Sequence, residues 1–67
     1  MKTFNVRVVD QNKLADGESF LDCTFSVKVE SNNKKNARLL VAKDYPRSKG
    51  FAVGLAAEVR NGFTVAN

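Results

Sequence analysis

The sequence predicts an α+β fold with one four-stranded antiparallel sheet, element order ββαββ, and a single helix packed on one face. Three segments alternate apolar and polar residues with period two, which is typical of strands with one buried face. Between the second and third segments, apolar residues follow helical spacing and a proline ends the pattern. With 67 residues, the chain is expected to form one small domain, 1–67.

The first predicted strand contains Phe4, Val6 and Val8, which alternate with the polar Asn5 and Arg7. A polar stretch over 10–19 follows and contains Asp16-Gly17, a dipeptide that tolerates positive φ. We therefore predict a long hairpin connection with a mobile tip.

Residues 21–30 form the second predicted strand, in which every odd position is apolar. The predicted core positions are Leu21, Cys23, Phe25, Val27 and Val29. Cys23 is accordingly interpreted as a small buried hydrophobe. A reactive thiol is the weaker alternative, because the chain has no histidine to activate it.

Ser31 is the predicted N-cap of a helix over 32–44. The apolar stripe expected to face the sheet comprises Ala37, Leu40 and Val41. Tyr45 lies near the edge of this stripe. Pro46 ends the helix, because a proline disfavours the α conformation in the residue before it.

Period-two alternation returns over 51–60 and predicts a third strand with its odd positions in the core. A helix is the alternative, and the turn signal Asn61-Gly62 favours the strand. A three-residue loop, 60–62, is predicted to pair Val59 with Phe63 and keep both in the core. A right-handed crossover then gives the strand order 2-1-3-4.

The chain lacks recognisable catalytic and metal-binding motifs. One cysteine and no histidine leave no disulfide framework and remove the commonest metal ligand and general base. Acidic residues after Asp10 lack calcium-loop spacing, and Gly50 and Gly54 lack the lysine and hydroxyl residue of a phosphate loop. We therefore expect a non-enzymatic binding protein with no catalytic residue, cofactor or metal.

The hydropathy of the sequence indicates the cellular compartment in which the protein is expected. No apolar run approaches the roughly 20 residues that span a bilayer. Asn5 and Arg7 interrupt the segment in which a signal peptide needs an apolar run. We expect a cytoplasmic protein that does not engage a membrane.

Charge is distributed unevenly along the chain. Residues 31–50 hold six cations and one anion, whereas the rest holds five cations and six anions, so the net charge of +4 arises from this segment. Such a basic patch attracts polyanions. The candidate binding residues are Lys34, Lys35, Arg38, Leu39, Lys43, Arg47 and Lys49. An ordinary solvated helix face is the alternative interpretation.

The predicted function is binding to nucleic acid, or to a nucleoprotein complex, through phosphate contacts from the basic helix and the loop after it. Four phenylalanines are predicted to point to the core: Phe4, Phe25, Phe51 and Phe63. This placement argues against base stacking on the sheet as in RRM domains, and the GxxG loop of KH domains is absent.

A protein partner is the second class of function. The basic ridge can dock on an acidic protein surface, and the open sheet face or an edge strand can pair two copies into a homodimer. In size and element order the chain resembles many small proteins of phages and mobile elements, including some anti-CRISPR proteins. This resemblance covers length and layout only and implies, as an alternative function, an inhibitor of a host protein complex.

Overall fold

A computed structural model describes the backbone of residues 1–65 and the side chains of residues 1–62. Its strands are β1 (Lys2–Asp10), β2 (Thr24–Ser31), β3 (Phe51–Arg60) and β4 (Phe63–Val65). Its helices are α1 (Gln11–Ala15) and α2 (Lys34–Asp44), and 3₁₀ turns span Leu21–Cys23 and Arg47–Lys49. The α+β class, with an antiparallel sheet and one long helix, is confirmed.

The sheet has the order β2-β1-β3-β4. β1 is antiparallel to β2, from the pair Lys2 and Ser31 to the pair Val9 and Thr24. It is also antiparallel to β3 on its other side. β1 therefore lies inside the sheet, which explains why its apolar positions are the most completely buried.

The core forms where α2 crosses the sheet. Phe4, Val6 and Val8 of β1 are at most 2% exposed, as their alternation predicts. Ala37 and Val41 of α2 pack on them and are equally buried. Complete burial of a valine or phenylalanine side chain stabilises the fold by about 1.5–3 kcal/mol. Leu40, predicted to belong to the same stripe, is instead 42% exposed.

A β-bulge divides β3 into two registers. Val6 pairs with Ala56 and Val8 pairs with Val53, so two β3 residues, Gly54 and Leu55, lie opposite Arg7 alone. The extra residue reverses which side chains face the core. The prediction that all odd positions of this strand are buried is therefore wrong beyond the bulge: Leu55 is 83% exposed, and Ala56 packs against the core.

The segment after β1 begins with α1, so the prediction of a plain hairpin connection is wrong. Asp10 caps this helix, since its Oδ1 accepts hydrogen bonds from the backbone N–H of Asn12 (3.1 Å) and Lys13 (3.3 Å). The Asn12 side chain donates to the Lys49 carbonyl at 3.1 Å. The connection is thus tied to the second 3₁₀ turn.

Two element starts differ from the prediction. β2 begins three residues late, because residues 21–23 form a 3₁₀ turn that leaves Leu21 84% exposed while Cys23 is buried. Asn33 caps α2 by accepting from the Asn36 N–H at 2.8 Å. Ser31, the predicted cap, is buried and donates to the Asn33 carbonyl.

The β3–β4 hairpin closes with a two-residue loop. Arg60 pairs with Phe63, and both Asn61 (φ +51°) and Gly62 (φ +83°) have the positive φ of a type I′ turn. The predicted three-residue loop, which paired Val59 with Phe63, is therefore wrong. The predicted burial of the Phe63 side chain lies outside the described residues.

Candidate nucleic-acid interface

The outer surface of α2 follows from its buried stripe. Ala37 and Val41 face the sheet, so the ridge of Lys35, Leu39 and Lys43 points away from it at 100° per residue. All three ridge residues are exposed, Leu39 to 55%. The ridge predicted from helical spacing is present in the structure.

The 3₁₀ turn Arg47–Lys49 extends this basic surface beyond the helix. Pro46 is extended and breaks α2, and Gly50 (φ +92°) turns the chain into β3. Both cations of the turn are exposed. They follow the C-terminus of α2, where the helix dipole favours positive charge.

The structure divides the predicted binding residues into groups. Arg38 and Arg47 line one groove between α2, the second 3₁₀ turn and the start of β3. Lys35, Arg38 and Leu39 line its continuation along the helix. Lys43 borders a different hollow, on the far side of the ridge.

Two of the predicted residues lie apart from the groove. Lys34 is half-buried at the start of α2, where it borders a hollow with Lys2 and Glu58. Lys49 is exposed, and its carbonyl accepts the hydrogen bond from Asn12. The predicted set therefore does not line one groove: Arg38 and Arg47 share it, whereas Lys34 and Lys49 lie outside it.

Ion pairing does not neutralise this surface. Among the side chains of residues 1–62, Glu58 alone forms ion pairs, with Lys2 at 3.9 Å and with Arg60. The hydrogen bond from Arg60 lowers the pKa of Glu58, and the positive charge of Arg60 lowers it further. The exposed cations of α2 and the turn lie outside this network: Lys35, Arg38, Lys43, Arg47 and Lys49.

Aromatic side chains meet beside the basic turn. Tyr45 contacts Phe25 and Phe51 edge to face, with centroids 5.2 Å apart in both pairs. Phe25 is 37% exposed and Phe51 is half-buried, so the prediction that both belong to the core is only partly right. Tyr45 and Phe51 line the groove with Arg38 and Arg47, a role the sequence prediction missed.

A signal for this arrangement is visible in the sequence. Tyr45 and Phe51 flank the loop Pro-Arg-Ser-Lys-Gly on its two sides. A short loop that ends a helix and begins a strand brings its flanking residues together, so two aromatic residues there predict a pair next to the basic turn.

An apolar hollow lies on the outer side of α2. Leu39 and Leu40, which are 55% and 42% exposed, border it together with Asn36, Ala42 and Lys43. Its volume is about 500 Å³ and it is widely open to solvent. Adjacent exposed apolar side chains mark protein-docking surfaces when they form a patch, whereas single ones are ordinary on a solvated helix.

Other chemistry has little support in the described side chains. Cys23 is 1% exposed, and burial, followed by the nearby Glu18, Asp10 and Asp22, raises the pKa of its thiol. The raised pKa disfavours the reactive thiolate. Within the described residues, acidic and cysteine side chains do not gather in groups of three that hold a metal ion, and no helix has the length and apolarity to cross a membrane.

Comparisons with protein-family models, with curated proteins and with solved structures give no significant match to this chain.

Proposed function

We propose that this protein is a non-enzymatic binding module that engages nucleic acid, or a nucleoprotein complex, through α2 and the 3₁₀ turn after it. The observation that carries the proposal is the set of five exposed cations on α2 and the turn after it, outside every ion pair of the described side chains. Cations held in an ion pair lose part of their attraction for an outside anion. These five retain theirs.

The expected contacts are with phosphates. Arg38 and Arg47 each offer a planar fork of donors suited to phosphate oxygens, and the lysines act as point charges. Phosphate contacts position a protein on nucleic acid without reading base edges. Affinity is therefore expected to depend strongly on salt and weakly on sequence.

A salt series of binding to labelled DNA and RNA, single-stranded and duplex, tests this function by fluorescence anisotropy. Release of counterions from several phosphates gives a log-log slope of affinity against salt of about −2 to −5. Absence of binding to every nucleic acid at low salt would contradict the proposal.

One observation favours a second candidate, an inhibitor that docks on a host protein complex, as some anti-CRISPR proteins of phages do. Leu39 and Leu40 border an open apolar hollow amid the cations of α2. Nucleic-acid binding does not require exposed leucines, whereas a protein interface buries them. Under this alternative, Leu40→Ala, which borders the hollow but not the groove, weakens capture of a purified acidic partner complex and leaves nucleic-acid binding unchanged.

A further inference from the structure

The groove beside the basic turn combines three kinds of surface. Its walls and floor come from α2, the 3₁₀ turn and β3: Arg38, Ala42, Tyr45, Arg47, Phe51, Ala52 and Val53. It encloses about 370 Å³, within the range of small-ligand sites. Along α2 it continues past Lys35 and Leu39 for about another 310 Å³.

The chain path fixes the aromatic part of this groove. Tyr45 follows α2 as its C-cap, and its backbone N–H donates to the Val41 carbonyl at 2.9 Å, so its backbone is held at the helix end. The 3₁₀ turn and Gly50 then reverse the chain, and the Gly50 carbonyl accepts from the Gln11 N–H at 2.8 Å. Phe51 thus enters β3 beside Tyr45, with ring planes at 83° to each other.

Both rings are half-buried, so each packs on the protein and still contributes surface to the groove. Phe25 contacts both rings and supports them from the β2 side, with centroids 5.2 Å from Tyr45 and 6.4 Å from Phe51. Phe25 itself does not line the groove. The aromatic surface is therefore braced before any ligand arrives.

The charges of the groove match an anion. Arg38 and Arg47 both line it, and neither is held in an ion pair with a described side chain. An apolar and aromatic surface selects a flat ring, and two guanidinium groups select phosphate. A nucleotide carries both a flat ring and a phosphate.

We propose that the groove takes an unpaired base of single-stranded nucleic acid against Tyr45 and Phe51, with the flanking phosphates held by Arg38 and Arg47. This inference rests on the proposed function and assigns its substrate class. Bases in a duplex are stacked on one another and do not reach such a groove. Single strands therefore bind more tightly than duplexes of equal charge.

The chain supplies its own reporter of this contact. Tyr45 is the single tyrosine and the protein has no tryptophan, so intrinsic emission near the tyrosine band reports on this groove alone. The experiment titrates the full chain with a short single-stranded DNA oligonucleotide, and separately with inorganic polyphosphate of similar charge. The expected result is binding of both polyanions, with quenching of Tyr45 by the oligonucleotide only.

Matched variants separate stacking from stability. Phe51→Leu removes the ring from the groove and is expected to weaken single-strand binding about tenfold, with polyphosphate binding unchanged. Phe20→Leu is the matched control: it removes a ring that is 51% exposed and does not line the groove, and it is expected to leave both affinities unchanged. Circular dichroism checks that each variant is folded. If either variant unfolds, quenching of Tyr45 in the unmodified protein still tests whether a base stacks in the groove.

Three outcomes are distinguishable. Binding of both polyanions without quenching overturns the stacking site and leaves the proposed function standing. Equal losses of single-strand affinity in the two variants likewise overturn it. If neither the oligonucleotide nor polyphosphate binds, the proposed function and this inference are both contradicted.

Discussion

The two surfaces of the sheet differ in what covers them and in how their charges are arranged. α2 covers one face, and the side chains beneath it, such as Val6 and Val8, are fully buried. The other face is open, with Arg7, Lys28 and Leu55 exposed on it. The inner side of α2 therefore completes the core, and its outer side carries the exposed cations.

The open face also carries cations but lacks the features of the groove. Arg7 pairs across the strands with Ser26, and the hollow beside them is bordered by Asn5, Leu55 and Ala57. No aromatic side chain among the described residues borders that hollow. The comparison teaches that exposed charge occurs on both sides, whereas aromatic rings border the basic groove beside α2 and not the hollow of the open face.

The largest expected effect separates buried from exposed apolar residues. Phe4→Ala, under α2, is expected to lower the free energy of unfolding by about 3–5 kcal/mol, because it empties a site that is 2% exposed. Leu55→Ala on the open face is the control and is expected to change it by less than about 0.5 kcal/mol. Urea denaturation measures both, and similar losses would contradict the two-sided description.

Phe25→Ala is expected to have an intermediate effect. The ring is 37% exposed but contacts Tyr45 and Phe51, so its removal costs about 1–3 kcal/mol, less than a fully buried phenylalanine. The same denaturation experiment measures it. A loss as large as that of Phe4→Ala would mean that the edge of the covered face is as tightly packed as its centre.

Gly50→Ala is expected to cost about 1–2 kcal/mol, because φ of +92° strains any residue with a Cβ. The new Cβ would also collide with the Asn12 side chain and disturb its hydrogen bond to Lys49. Gly54→Ala is the control, since its Cβ would meet the Arg7 carbonyl oxygen at an ordinary 3.5 Å. Equal thermal stability of the two variants would contradict the described turn.

The smallest expected effect concerns pH. The pKa of Glu58 is lower in the folded protein because Arg60 donates a hydrogen bond to its carboxylate, so its stabilising contribution is present at neutral pH. That contribution is lost as the pH falls through the folded-state pKa. Glu58→Gln is therefore expected to reduce stability at about pH 7 and to have less effect at about pH 3. A reduction independent of pH would exclude the ion pair as the cause.

Burial of the first strand and of the helix stripe was predictable from the sequence because the signals are local. The alternation of Phe4, Val6 and Val8 and the spacing of Ala37 and Val41 each imply one buried face. The α+β class follows from the order of these patterns. The register of these elements is strongly specified, because a shift by one residue would move their apolar side chains from the core to solvent.

The bulge in β3 was not predictable from that reasoning. Alanines and valines occupy both registers of the segment from Phe51 to Val59, so alternation continues unbroken while the backbone shifts by one residue. Gly54, at the bulge, is the remaining local signal. Capping of α1 by Asp10 was similarly hidden, since a five-residue helix has too little periodicity to detect.

The basic ridge of the candidate interface was predictable because it depends on helical spacing alone. The aromatic part of the groove depends on a tertiary contact between Tyr45, at the end of α2, and Phe51, at the start of β3. Core-facing phenylalanines were expected to be inaccessible. Phe51, the first residue of β3, is only half-buried and lines the groove with Tyr45.

The central claim is that the location of charge beside α2, and not net charge, produces binding. Two double variants test it directly: Arg38→Glu with Lys43→Glu on α2, and Arg7→Glu with Lys28→Glu on the open face. Each pair reverses two cations and takes the net charge from +4 to zero. Their binding to a labelled single-stranded oligonucleotide at low salt is compared by anisotropy. The account predicts a loss on the order of 100-fold for the α2 pair and less than about tenfold for the open-face pair, and equal losses would contradict it.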